Sequence, residues 1–183
     1  MDSFSQWSNR LRASDQQACS EIFEALHTPL LRYAIQLTRD EDAAYDVVQE
    51  AFIKLWTIRT KLDPERSLKA LLFTIVRNKS LNHLRQIATQ EARIAAMPPP
   101  ESARQPTPDE TIDAKSLKER FREWISELPP KRREAFQLSR FEGLSHEEIA
   151  DVMNLAPRTV TNHIMLALQQ LRDRLQAYQT SGA

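Results

Sequence analysis

The sequence predicts an all-α protein of two small helical domains joined by a proline-rich linker. Apolar residues recur every three or four positions along most of the chain, which is the period of a helix with one buried face. Only two glycines occur in 183 residues, and glycine is a poor helix former. Five prolines fall within residues 97–109, a composition typical of an extended linker. The predicted domains are 14–95 and 111–178, separated by 96–110.

Composition argues against several classes of protein. No run of eighteen apolar residues exists, and the first residues lack the apolar core of a secretory signal, so we expect a cytoplasmic protein that does not insert into a membrane. Cys19 is the single cysteine, which excludes an internal disulfide and a cysteine-rich zinc site. The four histidines show no ligand-like grouping, and no nucleophile stands with a base. We therefore expect no metal, no cofactor and no enzymatic activity.

The charges are separated along the chain although the formal net charge is zero. Residues 40–50 contain five acids and no base, whereas residues 66–93 contain six bases and one acid. An acidic face followed by a basic face suggests two partners of opposite charge.

The first domain is predicted to contain three main helical segments. Residues 1–13 look polar and frayed, and a helix beginning after Ser14 is expected to break or kink at Pro29 and end near Thr38. Asp40 is the predicted N-cap of the next helix, whose apolar stripe opposes an acidic face. A long helix is predicted over 65–95.

The exposed face of that long helix combines bases and amides, with an aromatic ring nearby. Such a combination of basic, amide and aromatic side chains suits stacking on nucleobases and contacts with phosphates. A charged face that only keeps the protein in solution is an equally ordinary interpretation. The residues are Lys69, Arg77, Asn78, Lys79, Asn82 and Arg85, with Phe73 and His83 close by.

The second domain ends in a predicted helix-turn-helix over 144–171. Ser145 and Glu148 have the spacing of a capping box, and Asn154 suits a left-handed turn. Gly143 is expected to be left-handed, and Pro157 falls in the first turn of the second helix. A helical hairpin serving only as core would share this pattern. The residues expected to face outward, Arg158, Thr159, Thr161, Asn162 and His163, can all donate to phosphates or base edges and favour DNA binding.

Other features of this domain carry separate predictions. Helices are expected over about 110–127 and 131–141, and residues after Tyr178 look disordered. The bases Lys131, Arg132 and Arg133 stand at a helix start, where the dipole prefers acids. Phosphate is the obvious partner for them.

These stretches together resemble an extracytoplasmic-function (ECF) sigma factor, a member of the sigma-70 family of bacterial RNA polymerase sigma factors. DAAYDVVQEAFIKLW (42–56) resembles the region-two segment that docks on core polymerase, and ALLFTIVRNKSLNHLR (70–85) resembles the segment that reads the −10 element. Residues 127–172 resemble region four, which reads the −35 element. The segments APRTVTNHI and LLFTIVRN are similar in sequence to members of the Bacteroidetes and iron-uptake subgroup.

The resemblance implies roles for particular residues. Core polymerase would be bound by Asp42, Asp46, Gln49 and Glu50, with Phe52 and Trp56 supporting the helix from inside. The −10 element would be read by a loop that captures a flipped base, Leu62, Asp63, Arg66 and Ser67, and by Arg77, Asn78, Lys79, Asn82 and Arg85. The −35 element would be read by Lys131, Arg132, Arg133, Arg158, Thr159, Thr161, Asn162 and His163.

The implied partners are bacterial core RNA polymerase, promoter DNA and an anti-sigma factor, which in that subgroup is often membrane-bound. Two rival interpretations stay open at this point. A stand-alone helix-turn-helix regulator would bind duplex DNA without polymerase. A helical interaction protein would bind no DNA. Its outward basic residues, Arg158 and Lys131 to Arg133, could then be replaced by neutral ones without effect on its function.

Overall fold

The computed structural model describes residues 3–95 and 117–181, and in these ranges every regular element is helical. The helices are α1 (Ser3–Arg12), α2 (Gln16–Thr38), α3 (Glu41–Ile58), α4 (Leu68–Ala95), α5 (Leu117–Ser126), α6 (Pro130–Arg140), α7 (His146–Met153) and α8 (Pro157–Ser181), with a 3₁₀ turn at Arg59–Lys61. We call α1–α4 the N-terminal half and α5–α8 the C-terminal half. The predicted all-α class is confirmed. The predicted linker, 96–110, lies outside the described residues.

Helices α2, α3 and α4 pack on one another and form the body of the N-terminal half. The Asp40 side chain accepts from the Ala43 N–H at 3.0 Å, which makes it the N-cap of α3 as predicted. The apolar stripe of α3 is buried throughout: Ala43, Ala44, Val47, Val48, Ala51, Phe52 and Leu55. Since one face is buried, the acidic face of α3 is left to solvent.

The expectation of a frayed N-terminus was wrong. Helix α1 packs on α2, with Leu11 fully buried. Trp7 Nε1 donates to Glu21 at 2.9 Å, and Arg10 pairs with both Asp15 and Glu21 at 2.7 Å. These polar contacts are made across the turn between the helices, so neighbouring apolar residues alone could not reveal them.

The break expected at Pro29 does not occur. Helix α2 is continuous over Gln16–Thr38 and contains Pro29. A proline inside a helix removes one N–H and so frees the carbonyl four residues earlier. That carbonyl belongs to Ala25, which is exposed, so water can satisfy it.

The long helix begins at Leu68 and not at residue 65 as predicted. The Asp63 carboxylate accepts from the Glu65 N–H at 3.0 Å, and the Ser67 hydroxyl accepts from the Ala70 N–H at 3.2 Å. Asp63 thus closes a turn, and the helix starts only after Ser67. Hydrogen bonds between a side chain and the nearby backbone compete with helix formation in this way.

The helix-turn-helix is confirmed in detail. The capping box joins Ser145 and Glu148 reciprocally, at 3.2 and 2.7 Å. Asn154 closes α7 in the left-handed region (φ 53°), and Gly143 is also left-handed (φ 66°). Pro157 is the first residue of α8.

Two expectations about the ends of the C-terminal half need revision. Helix α8 continues to Ser181, so the residues just after Tyr178 are helical and not disordered. Trp124 and Tyr178 meet edge-to-face with ring centroids 6.0 Å apart, which ties the end of α8 to α5. Helix α5 is described only from Leu117, so its predicted start at 110 lies outside the described residues.

The main hydrophobic core is shared by the two halves. One cluster of buried side chains contains Ile22, Val48 and Phe73 from the first and Leu138 and Ile149 from the second. Helix α7 packs directly on α4. A smaller cluster lies inside the C-terminal half, between α5, α6 and α8. None of the described helices is both long and apolar enough to span a bilayer.

Candidate nucleic-acid interface and docking face

The acidic face of α3 is open to solvent over two helical turns. All four residues predicted to bind polymerase lie on it and are exposed: Asp42, Asp46, Gln49 and Glu50. Phe52 is buried beneath them, and Trp56 is half-buried. We call this surface the docking face; it offers acceptor groups to a basic partner.

The docking face meets the α4 face at a cleft. The Glu50 carboxylate forms an ion pair with Lys79, which the sequence assigned to DNA. Asp46, Asn82 and His83 line the same cleft, which has a volume of about 330 Å³. Lys79 therefore lies at the boundary between the two predicted surfaces.

The four predicted loop residues lie together between α3 and α4. Leu62 is buried and anchors the loop, while Arg66 is exposed and stands 3.9 Å from the Asp63 carboxylate. All four border a cavity of about 620 Å³, together with Thr74 of α4 and other residues. A cavity of this size, next to the exposed guanidinium of Arg66, has room for a flat polar ring.

The rest of the −10 prediction divides between exposed and covered residues. Asn78, Asn82 and Arg85 are exposed, and Arg85 donates to the Asn82 side chain at 2.8 Å. Arg77 is half-buried and its Nε donates to Glu134 of α6 at 2.7 Å.

The expectation that Phe73 stands near the exposed face was wrong. Phe73 is fully buried and packs against Tyr33, with ring centroids 5.2 Å apart. It lies on the core side of α4, so its ring cannot stack on a base.

The start of α8 presents a polar surface. Arg158, Thr159 and Asn162 are exposed. The Thr161 hydroxyl lies 2.9 Å from His146 Nδ1 and donates to the Pro157 carbonyl at 3.1 Å, which ties α8 to the start of α7.

His163, the fifth predicted residue on α8, is half-buried. Its Nδ1 is buried and has no hydrogen-bond partner in the described part of the chain. Only part of the His163 ring is therefore exposed to solvent.

The three consecutive bases at the start of α6 differ in their surroundings. Lys131 is exposed, whereas Arg132 and Arg133 are half-buried. Arg133 donates to the Ser126 carbonyl at 2.7 Å and so caps the end of α5. Phosphate is the partner expected from the sequence, but Arg133 already donates to a backbone carbonyl of the protein.

Sequence reasoning missed a polar contact between the halves. Glu134 Oε1 accepts from the Tyr33 hydroxyl at 2.7 Å as well as from Arg77. Burial, together with the Glu134 charge, raises the pKa of Tyr33 well above its usual range, so this hydroxyl stays a donor. Tyr33 and Glu134 are 101 positions apart, and no local sequence signal joins them.

Comparison with known proteins identifies both halves. Residues 22–93 match the family model described as sigma-70 region 2, and residues 118–171 match that of sigma-70, region 4. The chain is 30% identical over 165 residues to the ECF RNA polymerase sigma factor SigL of Mycobacterium tuberculosis, covering 90% of this chain and 92% of the relative. It is 26% identical to the RNA polymerase sigma-H factor of Pseudomonas aeruginosa, covering 91% of each chain.

Two solved structures are similar in fold. RpoE of Bartonella quintana, in complex with the anti-sigma factor NepR, aligns with TM-score 0.63 and 25% identity over 86% of this chain and 96% of that one. CnrH in complex with the cytosolic domain of CnrY aligns with TM-score 0.65 and 24% identity, over 96% of this chain and 99% of that one.

The described elements are all helical, and they include the acidic face of α3, a basic α4 and a helix-turn-helix. A chain of this kind that matches both family models in order is a sigma-70-type transcription initiation factor. The chain belongs to the extracytoplasmic-function group of that family. It therefore acts with core RNA polymerase at promoters, and the stand-alone regulator is not favoured. The predicted function is confirmed at this level.

Proposed function

We propose that the docking face of α3 binds core RNA polymerase. The supporting observation is that Asp42, Asp46, Gln49 and Glu50 are all exposed on one side of a helix whose other side is buried. Exposed carboxylates attract a basic partner and lose little by being desolvated at the edge of an interface.

We further propose that residues 14–95 and 111–178 are the promoter-reading domains, with 96–110 linking them. The exposed start of α8 would enter the major groove at the −35 element, with Lys131 on phosphate. The loop cavity would receive a flipped −10 base, and Asn78, Asn82 and Arg85 would follow the melted strand. The polymerase performs the chemistry, so the chain itself is no enzyme and needs no cofactor.

Run-off transcription tests the proposal as a whole. Purified chain, bacterial core polymerase and a promoter library are mixed, and transcripts absent with core alone are sequenced. We expect starts that share a spaced −35/−10 pair. Tight duplex binding by the chain alone, without specific starts, would instead favour a stand-alone regulator.

Asp46→Arg is expected to abolish binding to core polymerase while leaving the fold intact. The new cation would face a basic partner, and like charges placed together at an interface cost several kcal/mol. Binding is measured by fluorescence anisotropy of labelled chain. Glu24→Arg makes the same charge change at an exposed position of α2 and is the matched control; equal binding by both variants would contradict the docking face.

Arg158→Ala is expected to weaken −35 recognition by about 1–3 kcal/mol if the side chain makes a bidentate base contact. The measurement compares holoenzyme affinity for the selected promoter and for promoters changed at single −35 positions. A loss that is equal on all sequences would make Arg158 a phosphate contact.

An anti-sigma partner is also proposed. RpoE of Bartonella quintana is described in complex with one, and this chain aligns with 86% of its own length on that structure. We also propose, from the sequences of APRTVTNHI and LLFTIVRN, that the chain belongs to the Bacteroidetes and iron-uptake subgroup, in which such partners are often membrane-bound. A cytoplasmic location is proposed separately, because the bacterial polymerase and the promoter DNA are there. A candidate anti-sigma protein should suppress the specific run-off starts when it is added before core polymerase.

A further inference from the structure

Helix α1 lies outside the residues that match sigma-70 region 2, yet it packs on the segments that form the cavity beside the loop. That cavity, of about 620 Å³, is here called the loop cavity. The family match begins at residue 22, whereas α1 covers Ser3–Arg12. Besides α2, α1 contacts the 3₁₀ turn at Arg59–Lys61 and helix α4. Leu11 is buried in the main core, so α1 is an integral part of the N-terminal half.

The turn that follows α1 is hydrogen-bonded to the segment that leads into the loop. Ser14 is left-handed (φ 62°), and its hydroxyl accepts from Arg59 Nε at 3.0 Å. Arg59 Nη1 also donates to the Trp56 carbonyl at 2.8 Å, and its guanidinium carbon lies 4.3 Å from the centre of the Trp56 ring. These contacts fix Arg59 between the end of α3 and the turn after α1. Because the 3₁₀ turn that begins at Arg59 runs directly into Leu62, the position of the loop depends on α1.

Helix α1 also forms part of the wall of the loop cavity. Ser8 is 1% exposed and borders the cavity together with Ser67 and Thr74. The Ser67 oxygen accepts from the Ala70 N–H at 3.2 Å, which leaves its proton available to a base. The Thr74 hydroxyl donates to the Ala70 carbonyl at 2.8 Å, which leaves its oxygen available as an acceptor. A donor with an acceptor suits the hydrogen-bonding edge of any nucleobase, so these two hydroxyls can hold a base without selecting one.

From these contacts we propose that α1 is part of the −10 reader. The Ser14–Arg59 hydrogen bond positions the loop, and Ser8 forms the wall that limits the size of the base that the cavity accepts. This inference rests on the proposed capture of a flipped −10 base by the loop, and it adds a helix that lies outside the matched region.

The size of the cavity is expected to control base capture. A base leaves its stack only when contacts in the receiving pocket offset the lost stacking. One methylene more or less in a closely fitting pocket changes discrimination by about 10- to 200-fold. A larger side chain in place of Ser8 should therefore exclude purines more strongly than pyrimidines, because a purine has two fused rings.

The experiment measures binding of −10 strands to holoenzyme made from the full chain and bacterial core polymerase. The probe is a fluorescent single-stranded −10 oligonucleotide taken from the promoters selected in run-off transcription. An abasic site is introduced at each of its positions in turn. The position at which the abasic site weakens wild-type binding most is the captured base, and the strand that is abasic there measures binding without base capture.

Ser8→Leu fills the loop cavity from the side of α1. We expect it to weaken binding of the intact strand by about tenfold or more and to leave binding of the abasic strand unchanged. Strands with a purine at the captured position should lose more affinity than strands with a pyrimidine. Asn9→Leu introduces the same side chain at an exposed position of α1, outside the residues that line the cavity in the described structure, and should change neither strand's binding.

Ser14→Ala removes the acceptor of the Arg59 hydrogen bond without placing any atom in the cavity. We expect about threefold weaker binding of the intact strand and unchanged binding of the abasic strand, because only base capture needs the loop in place. Ser20→Ala removes an exposed hydroxyl from α2 and is the matched control.

Comparison of the intact and abasic strands decides the inference. An equal loss on both strands in Ser8→Leu would overturn it, and so would an unchanged affinity for the intact strand or an equal loss in Asn9→Leu. If circular dichroism shows that Ser8→Leu does not fold, Ser14→Ala and Ser20→Ala decide alone, and equal binding by these two would overturn it. Specific run-off starts without any such difference between strands would overturn only this inference, whereas a wild-type chain that directs no specific starts would refute the proposed function as well.

Discussion

Individual ionic side chains decide how the N-terminus of this protein is held. Arg10 forms two ion pairs, with Asp15 and Glu21, and Glu21 also accepts from Trp7. The hydrogen bond from Arg10, with that from Trp7, lowers the pKa of Glu21 below its ordinary value of 4.5. The Arg10 hydrogen bond likewise lowers the pKa of Asp15 below 3.8.

These lowered pKa values predict a pH dependence of stability. Because the folded carboxylates hold protons less tightly than the unfolded ones, their contribution is complete above about the ordinary pKa and is lost as the pH falls through the lowered values. Glu21→Gln should therefore reduce the loss of stability between neutral pH and the acid range. The measurement is urea unfolding at several pH values.

The matched control for the pH prediction is Glu24→Gln, an exposed neighbour on the same helix. It should follow the wild-type pH profile more closely than Glu21→Gln does. Identical profiles for the two variants would assign no special role to the Arg10 ion pair.

At the scale of elements, the ends of the helices determine the shape of the helix-turn-helix. The capping box at Ser145 starts α7, and Asn154 ends it in a left-handed conformation. His146 then contacts Thr161 of α8. The angle at which α8 presents Arg158 is therefore set partly by the polar contacts that begin and end α7 and join it to α8.

Ser145→Ala is expected to cost about 1 kcal/mol, because the Glu148 N–H loses its side-chain acceptor. Ser139→Ala, at a half-buried position inside α6, removes a hydroxyl without removing a cap and should be near neutral. Chemical unfolding followed by circular dichroism measures both. Equal losses in the two variants would mean that the cap contributes nothing specific.

At the scale of the whole molecule, the two family regions share one core. Leu138 of α6 is fully buried in the cluster that also contains Phe73 and Val48 of the other half. Two domains that share buried apolar surface are expected to unfold together, because neither keeps its core when the other is lost.

Leu138→Ala should therefore cost about 2–5 kcal/mol and lower one common unfolding transition. Calorimetry and circular dichroism should report the same midpoint for the variant. Leu117→Ala, at an exposed position of α5, is the control and should change stability little. Two separated transitions in the wild type would contradict a shared core.

The sequence alone determined the helical class, the helix-turn-helix and the family. The family followed from the resemblance of the quoted motifs. The helical class and the helix-turn-helix depend on short-range chemistry: the helical period of apolar residues, the Ser145 capping box, Asn154 in the turn and Pro157 at the start of α8. The acidic face of α3 followed in the same way, because one helix fixes which side chains share its surface.

The tertiary structure decided which predicted residues are free and which already have partners. Phe73 turned inward, Arg133 caps α5, and Arg77 contacts Glu134 across 57 positions of sequence. Such contacts depend on how whole helices pack against one another. That packing is determined by the burial of many side chains together, so no local sequence pattern predicts it. The sequence could therefore identify the two DNA-reading halves, while only the fold showed that one half covers part of the other.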